Sequence, residues 1–254
     1  MTPSFDTVAS SFERLRAFPS GVPEAIRSAI YVAAQISSPA NVLDLGAGTG
    51  RIGRSFVSAG DLYIGVDMSL AMLREFQANA GSGFLVQADG GQLPFRKGAF
   101  DVVLLMHVLN GASDWREILS ESRRMVRRGG IIVVGHTQGP ESGIDGQLKR
   151  QLNSILQEMG IPRRRPQESR GEALDWLDSF AARHVYSQAA SWKVSVSARE
   201  FLERHRSGAR FAELPASIQE LAIQKLTAWA ERMFGSLDTG FDEQRSFDLD
   251  IFEF

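Results

Sequence analysis

The chain has 254 residues, 43% of them hydrophobic and 23% charged, ordinary values for one large globular domain with a real core. A net charge of -2 gives no global field toward nucleic acid or anionic membrane. The absence of cysteine excludes disulfides, thiolate metal sites and a cysteine nucleophile.

Residues 1–11 lack the basic-then-apolar layout of a signal peptide. No apolar run approaches the roughly 20 residues needed to span a bilayer, so a cytoplasmic protein is expected. Short apolar runs at residues 41–45, 62–66, 84–87, 102–106 and 131–134 alternate with amphipathic stretches near 51–59, 69–79 and 114–126. Strands alternating with helices predict βαβ units, hence an α/β fold with a doubly wound, mostly parallel sheet covered on both faces. Ser69 and either Ser113 or Asp114 are expected helix N-caps, and Gly129 and Gly130 read as the stop of the third helix. Beyond His136, residues 137–146 read as a loop, 147–159 and 172–182 as helices, and 161–166 as a break carrying Arg163 to Arg165. That arginine run reads as a solvated loop in preference to a phosphate contact. Residues 185–196 are expected to be extended. Ser197 then opens a helix with Glu200 completing a capping box, one or two helices fill 214–234, and the alternation over 246–252 is that of a strand.

The richest segment is Val42-Leu43-Asp44-Leu45-Gly46-Ala47-Gly48-Thr49-Gly50, a strand ending in alternate glycines before a helix. Such glycines allow a tight turn and let a ligand lie on bare backbone; the same spacing also fits a ligand-free turn. Asp67, at the end of the second strand, suits ribose hydroxyls and serves equally well as a charge before the Ser69 cap. In a dinucleotide fingerprint the third glycine follows the second by three positions; here that position is Arg51, and Gly50 comes one earlier. Asp44 before the loop would repel a pyrophosphate, and it could orient the amino group of a methionine moiety. Asp89, ending the third strand, can accept from an adenine amino group. Three acids on successive strand ends suit a sulfonium ligand without phosphates, and S-adenosylmethionine is favoured over a nicotinamide cofactor.

From Asn41 to Val134 these residues resemble the class I S-adenosylmethionine-dependent methyltransferases, most closely the small-molecule group that includes the ubiquinone and menaquinone C-methyltransferases. The matching motifs are Val42 to Gly50, Gly65-Val66-Asp67-Met68-Ser69 with Met72-Leu73, Ala88-Asp89, Leu93-Pro94-Phe95, and Phe100-Asp101-Val102-Val103. Met125-Val126-Arg127-Arg128-Gly129-Gly130 resembles the turn before the fifth strand, with Arg128 where proline is usual. Phe12-Glu13-Arg14-Leu15-Arg16 resembles the stretch that covers the cofactor, with Phe12 in place of the usual tyrosine and Glu13 in place of aspartate. The resemblance implies a seven-stranded sheet with an antiparallel last strand over 247–252. Within one domain, 1–254, it implies a helical cover (1–40), a cofactor-binding core (41–136), a helical lid (137–184) and a C-terminal part of the sheet (185–254). It also implies a cofactor set of Phe12, Arg16, Asp44, Gly46, Ala47, Gly48, Gly50, Asp67, Met68, Met72, Asp89, Gly90 and His107, with S-adenosylhomocysteine as product.

Methyl transfer from a sulfonium is an in-line displacement needing alignment and exclusion of water, and a base only where the acceptor must lose a proton. His136 and His107, at the carboxyl edge of the sheet, are the candidate bases; capping and cofactor contacts are their bland roles. His184 and His205 have no evident partner in the sequence. No histidine pair has metal-ligand spacing, so no metal is expected. His107-Val108-Leu109-Asn110 lacks the motif of amino-directed nucleic-acid methyltransferases, and a small-molecule acceptor is expected without nucleic acid or membrane. Trp176, Tyr186, Trp192 and Trp229 are candidates either for an acceptor pocket or for the lid's own core, and residues 139–182 are expected to cover the acceptor. The competing readings are a non-catalytic S-adenosylmethionine-binding module and, on weaker grounds, a nicotinamide-dependent oxidoreductase.

Overall fold

The apolar runs of the first half form strands β1 (Asn41–Leu45), β2 (Leu62–Asp67), β3 (Phe84–Gln87), β4 (Phe100–Met106) and β5 (Val126–Gln138), all mutually parallel. In the computed structural model, which describes residues 6, 9–80, 83–109, 115–162, 166–206, 211 and 214–254, β6 (Arg183–Val196) and β7 (Phe241–Glu253) complete the sheet. The strand order is β3-β2-β1-β4-β5-β7-β6, and β7 runs antiparallel to both neighbours. Strand order reverses between β1 and β4, and the crevice above such a switch point is where open α/β sheets bind ligands.

Val, Ile and Leu fill the central strands because both faces are covered. Helices α1 (Ala9–Arg16), α2 (Val22–Ala34), α3 (Gly53–Ser58) and α4 (Leu70–Ala80) precede β4. One face buries Ile26, Phe56, Phe76, Val102 and Phe247 in a single cluster under α2, α3 and α4. The opposite face buries Leu43, Val103, Ile132 and Phe252 beneath α5 (Trp115–Met125) and α7 (Pro166–Asp178). A third cluster joins α6 (Ile144–Glu158), α8 (Ala198–Arg206) and α9 (Ala216–Phe234), through residues such as Leu148, Phe201 and Leu226.

Several expected boundaries move. Gly129 and Gly130 do not stop a helix: α5 ends at Met125, and β5 begins at once in a bulged leader in which Val126 pairs with Phe100. Gly129 supplies the left-handed φ of 69° that the bulge requires, and the Phe254 N–H donates to the Gly130 carbonyl at 3.0 Å. Pairing with β7 through Gln138 likewise extends β5 into the expected loop. Helix α7 starts and ends earlier than expected, and 214–234 yields the single helix α9. Of the expected cover, α6 joins α8 and α9, whereas Ala173 and Leu177 of α7 pack on the sheet. Within 1–40, α2 also packs on the sheet, through Ile26 and Ile30. The Ser197–Glu200 capping box is present, with Ser197 N–H to Glu200 Oε2 at 2.9 Å and Glu200 N–H to Ser197 Oγ at 3.3 Å. Ser69 caps α4, its Oγ accepting from the Met72 N–H at 3.2 Å. Ser113, Asp114 and Arg163 to Arg165 lie outside the described residues.

Candidate functional site

The carboxyl ends of β1, β2 and β4 converge on the glycine loop. Gly46 and Ala47 both donate their N–H to the Val66 carbonyl, at 2.8 and 3.0 Å, which turns the chain sharply off β1. Gly46, Gly48 and Gly50 have φ of 73°, 56° and 79°, the left-handed region that glycine enters at no steric cost. A Cβ on Gly46 would lie 2.7 Å from Val108 Cγ2, whereas at Gly48 the nearest protein atom would be 3.9 Å away. Gly46 is therefore bound by packing, and Gly48 leaves bare backbone with room beside it.

Asp44 sits under this loop with a relative exposure of 2%. Tyr63 Oη donates to its Oδ2 at 2.6 Å, while its Oδ1 is buried with no partner among the described residues. Burial raises its pKa to about 7, opposed by the Tyr63 hydrogen bond and reinforced by Asp67. A buried carboxylate with one free oxygen is matched by a cationic N–H donor. Asp67 at the end of β2 accepts from Gly48 N–H at 2.9 Å and from Ser69 N–H at 2.8 Å, which fixes its carboxylate against the loop. Burial raises its pKa, and these backbone donors oppose the shift. Met72 is buried and Met68 is exposed beside it. Asp89 is exposed at the end of β3, where its Oδ1 accepts from Gly91 N–H at 2.9 Å, with Gly90 between them.

Helix α1 lies on the same edge. Thr49 Oγ1 donates to Glu13 Oε2 at 2.9 Å, and Arg54 pairs with Glu13 Oε1, so two residues of the loop region latch α1 over it. Arg51 stacks between Phe12 and Phe18, with its guanidinium carbon 5.2 and 4.9 Å from the ring centres, and donates to the Arg16 carbonyl. Arg16 in turn stacks on Phe12 at 4.5 Å and donates to the Arg204 carbonyl at 2.5 Å, tying α1 to α8. Burial first, then Arg204, lowers its pKa to about 10. Sequence reasoning missed Tyr63, Phe18 and the latching role of Thr49 and Arg54. Their partners lie on other elements, and the local sequence carries no signal of the pairing.

His107 follows β4 with φ 63°, a left-handed conformation that costs a non-glycine residue energy. Its N–H donates to the Gly135 carbonyl at 2.8 Å, and its ring meets Phe247 edge-on at 5.5 Å. Burial, then Arg51, His136 and Arg16, lowers its pKa to about 3, so the imidazole is neutral across the physiological range. His136 stands on β5, with its Nδ1 buried and unpartnered among the described residues. The four large aromatics do not gather. Trp176 packs on Trp115 and Phe180, Trp192 on Phe18 and Trp229 on Phe234, while Tyr186 is exposed. His184 does have partners, Asp178 at 3.1 Å and Asp250 at 3.2 Å. Among the described residues no cluster of metal-ligating side chains occurs, and no helix is long and apolar enough to cross a membrane.

Residues 43–134, which span this loop and the strands that carry it, match the family model described as a methyltransferase domain. The demethylmenaquinone methyltransferase of Streptomyces griseus is 30% identical over 131 residues, 51% of this chain and 57% of that protein. That of Thermobifida fusca is 32% identical over 136 residues, 51% of this chain and 58% of the relative. The chain thus spans a little over half the length of these curated relatives. Among solved structures, a phosphoethanolamine N-methyltransferase of Haemonchus contortus, in complex with phosphomonomethylethanolamine and S-adenosylhomocysteine, superposes with a TM-score of 0.55 at 14% identity. The superposition covers 98% of this chain and 58% of that one. The sheet order and the superposition show that the chain has the methyltransferase fold of these structures.

Proposed function

We propose that this chain, with its methyltransferase domain at residues 43–134, transfers a methyl group from S-adenosylmethionine to a small-molecule acceptor. The observation that carries the reading is Asp44, whose buried, half-satisfied carboxylate under an open glycine cradle fits the ammonium of an amino-acid tail. In this reading Asp67, whose carboxylate is held by two backbone donors, would accept from the ribose hydroxyls, and Met72 and Asp89 would meet the base. When bound, the sulfonium supplies an activated methyl group that needs no further activation by the protein. The chain's own work is to orient the donor, to close α1 over the loop through Glu13, and to hold the acceptor dry. A nicotinamide cofactor is disfavoured by the same acid, since Asp44 would face a pyrophosphate.

Calorimetric titration with S-adenosylhomocysteine, run beside NADH, tests the reading. Micromolar binding of the first alone is expected, and binding of NADH alone overturns the assignment. Asp67→Ala should weaken S-adenosylhomocysteine binding by about 1–3 kcal/mol, the cost of leaving polar ligand groups unpaired. Unchanged affinity in a folded Asp67→Ala protein removes the ribose role of this residue.

A further inference from the structure

On the sheet face beneath α5 and α7, three elements bring unsatisfied polar atoms to one patch. His136 continues the row Ile132, Val134 on β5 and lies directly across the ladder from Asp248 on β7. Directly opposed residues of an antiparallel pair place their Cβ atoms about 4.5–5.5 Å apart. His136 Nδ1 and Asp248 Oδ1 are both buried without a partner among the described residues, and Asp248 is only 6% exposed. Arg170 of α7 holds Asp250, two residues along the same face, at 2.5 Å, while its Nε–H is likewise buried and unpaired. Arg170 is near enough to His136 to help depress the ring's pKa after burial, with Asp248 and Asp250 opposing. Tyr186, exposed on β6 and pairing across the ladder with Asp250, lies on the same face. Native proteins leave few buried polar groups unmatched, and such groups ask for an explanation.

The complement of this patch is one group that both donates and accepts. We propose that His136, Asp248 and Arg170 form the acceptor subsite of the transfer reaction and receive a hydroxyl of phenol-like acidity, making the product a methyl ether. This rests on the methyltransferase reading above. His136 Nδ1 takes the hydroxyl proton as the oxygen lone pair forms the bond to the methyl carbon, and the C–S electron pair remains on sulfur. Asp248 is a positioning residue that steadies the resulting imidazolium, and the Arg170 Nε–H faces the oxygen as it gains charge. A phenol, with a pKa near 10, lies within reach of an imidazole base, whereas an aliphatic alcohol does not. His107 is the weaker base, because burial first and then Arg51, His136 and Arg16 lower its pKa to about 3.

The full chain is first titrated with S-adenosylhomocysteine; failure to bind overturns the parent reading, not the subsite. The protein is then given methyl-labelled S-adenosylmethionine and size-matched probes, namely phenol, catechol and 4-hydroxybenzoate against aniline and 4-aminobenzoate, with products identified by mass. Methyl ethers are expected from the phenols. His136→Gln should lower kcat about 10²–10⁴-fold with KM little changed. Asp248→Asn should move the acidic limb of the kcat profile down by about one pH unit, because the carboxylate no longer favours the charged ring. The groups facing that ring are Arg170 on α7, Asp248 and Asp250 on β7, Gln138 two residues further along β5, and His107 after β4. Undiminished S-adenosylhomocysteine affinity in both variants shows that the donor site is intact. Methylation only of the amines, no methylation of any phenol by protein that binds S-adenosylhomocysteine, or an unchanged kcat in His136→Gln overturns the proposal.

Discussion

Asp44→Asn is expected to weaken S-adenosylhomocysteine binding by about 100-fold or more while making the free protein's stability less sensitive to pH. The first effect follows from removing one member of a buried charge pair, which typically costs about 3–5 kcal/mol because the other charge is left without its partner. The second follows from linkage. The Asp44 carboxyl rises from 3.8 to about 7 in the folded protein because burial disfavours its charge. A raised carboxyl means that the folded state binds the proton more tightly than the unfolded chain. Its contribution is therefore favourable at low pH, is lost as pH rises from about 4 to about 7, and is constant above that. At about 1.4 kcal/mol per unit, the loss across this window of roughly three units is on the order of 4 kcal/mol. Asparagine keeps the hydrogen bond from Tyr63 and cannot ionise, so the slope over this window should flatten relative to the wild type. Urea titrations at pH 5 and pH 8 measure it. Donor binding should share the origin: S-adenosylhomocysteine affinity of the wild type should fall below pH 7, since its ammonium needs the ionised carboxylate. An Asp44→Asn protein with wild-type affinity and the wild-type pH slope would leave the loop without its ammonium site.

How much of this was legible in the sequence depended on the range of the interaction. The five parallel strands could be read because burial on both faces makes each a continuous apolar run. The glycine loop could be read because a left-handed backbone admits few other residues. The capping boundary at Ser197 is likewise local, with both partners within three residues. The start of β5 was misread because Arg127 to Gly130 has the local composition of a helix stop. It is pairing with Phe100 and Phe254, far away in sequence, that makes it a strand. Helix α7 shows a face that must be buried, but the sequence does not say against what, and it packs on Trp115 and Phe252 instead of joining α6. The same limit hid Tyr63 behind Asp44 and Asp248 opposite His136, since each pair forms only when one strand register is chosen. Binding residues were therefore visible where backbone geometry demanded them, and invisible where a neighbouring strand completed them.

Gly50→Ala separates these two kinds of demand, and it is expected to destabilise the fold by about 2–5 kcal/mol. A Cβ at this position would meet three ring atoms of Phe76 at 2.5–2.6 Å. Phe76 is fully buried and wedged against Tyr63, with ring centres 5.7 Å apart, so it has little room to swing aside. Overpacking of that kind costs about 1–3 kcal/mol. The φ of 79° adds the left-handed penalty of roughly 1–2 kcal/mol for a residue with a Cβ. For a chain of this length each kcal/mol moves Tm by about 2–4 °C, so a drop of roughly 5–20 °C is expected by thermal unfolding. Gly48→Ala should behave oppositely. It pays only the backbone penalty, because a Cβ there meets nothing nearer than 3.9 Å, and it places a methyl group in the open cradle. Its Tm should fall by only a few degrees, about 1–2 kcal/mol, while S-adenosylhomocysteine affinity drops as sharply as a lost close contact with backbone implies. If Gly48→Ala bound S-adenosylhomocysteine as the wild type does, the ligand would have to lie elsewhere than on this loop. Gly50 would then be explained by Phe76 packing alone, and Gly48 by the turn.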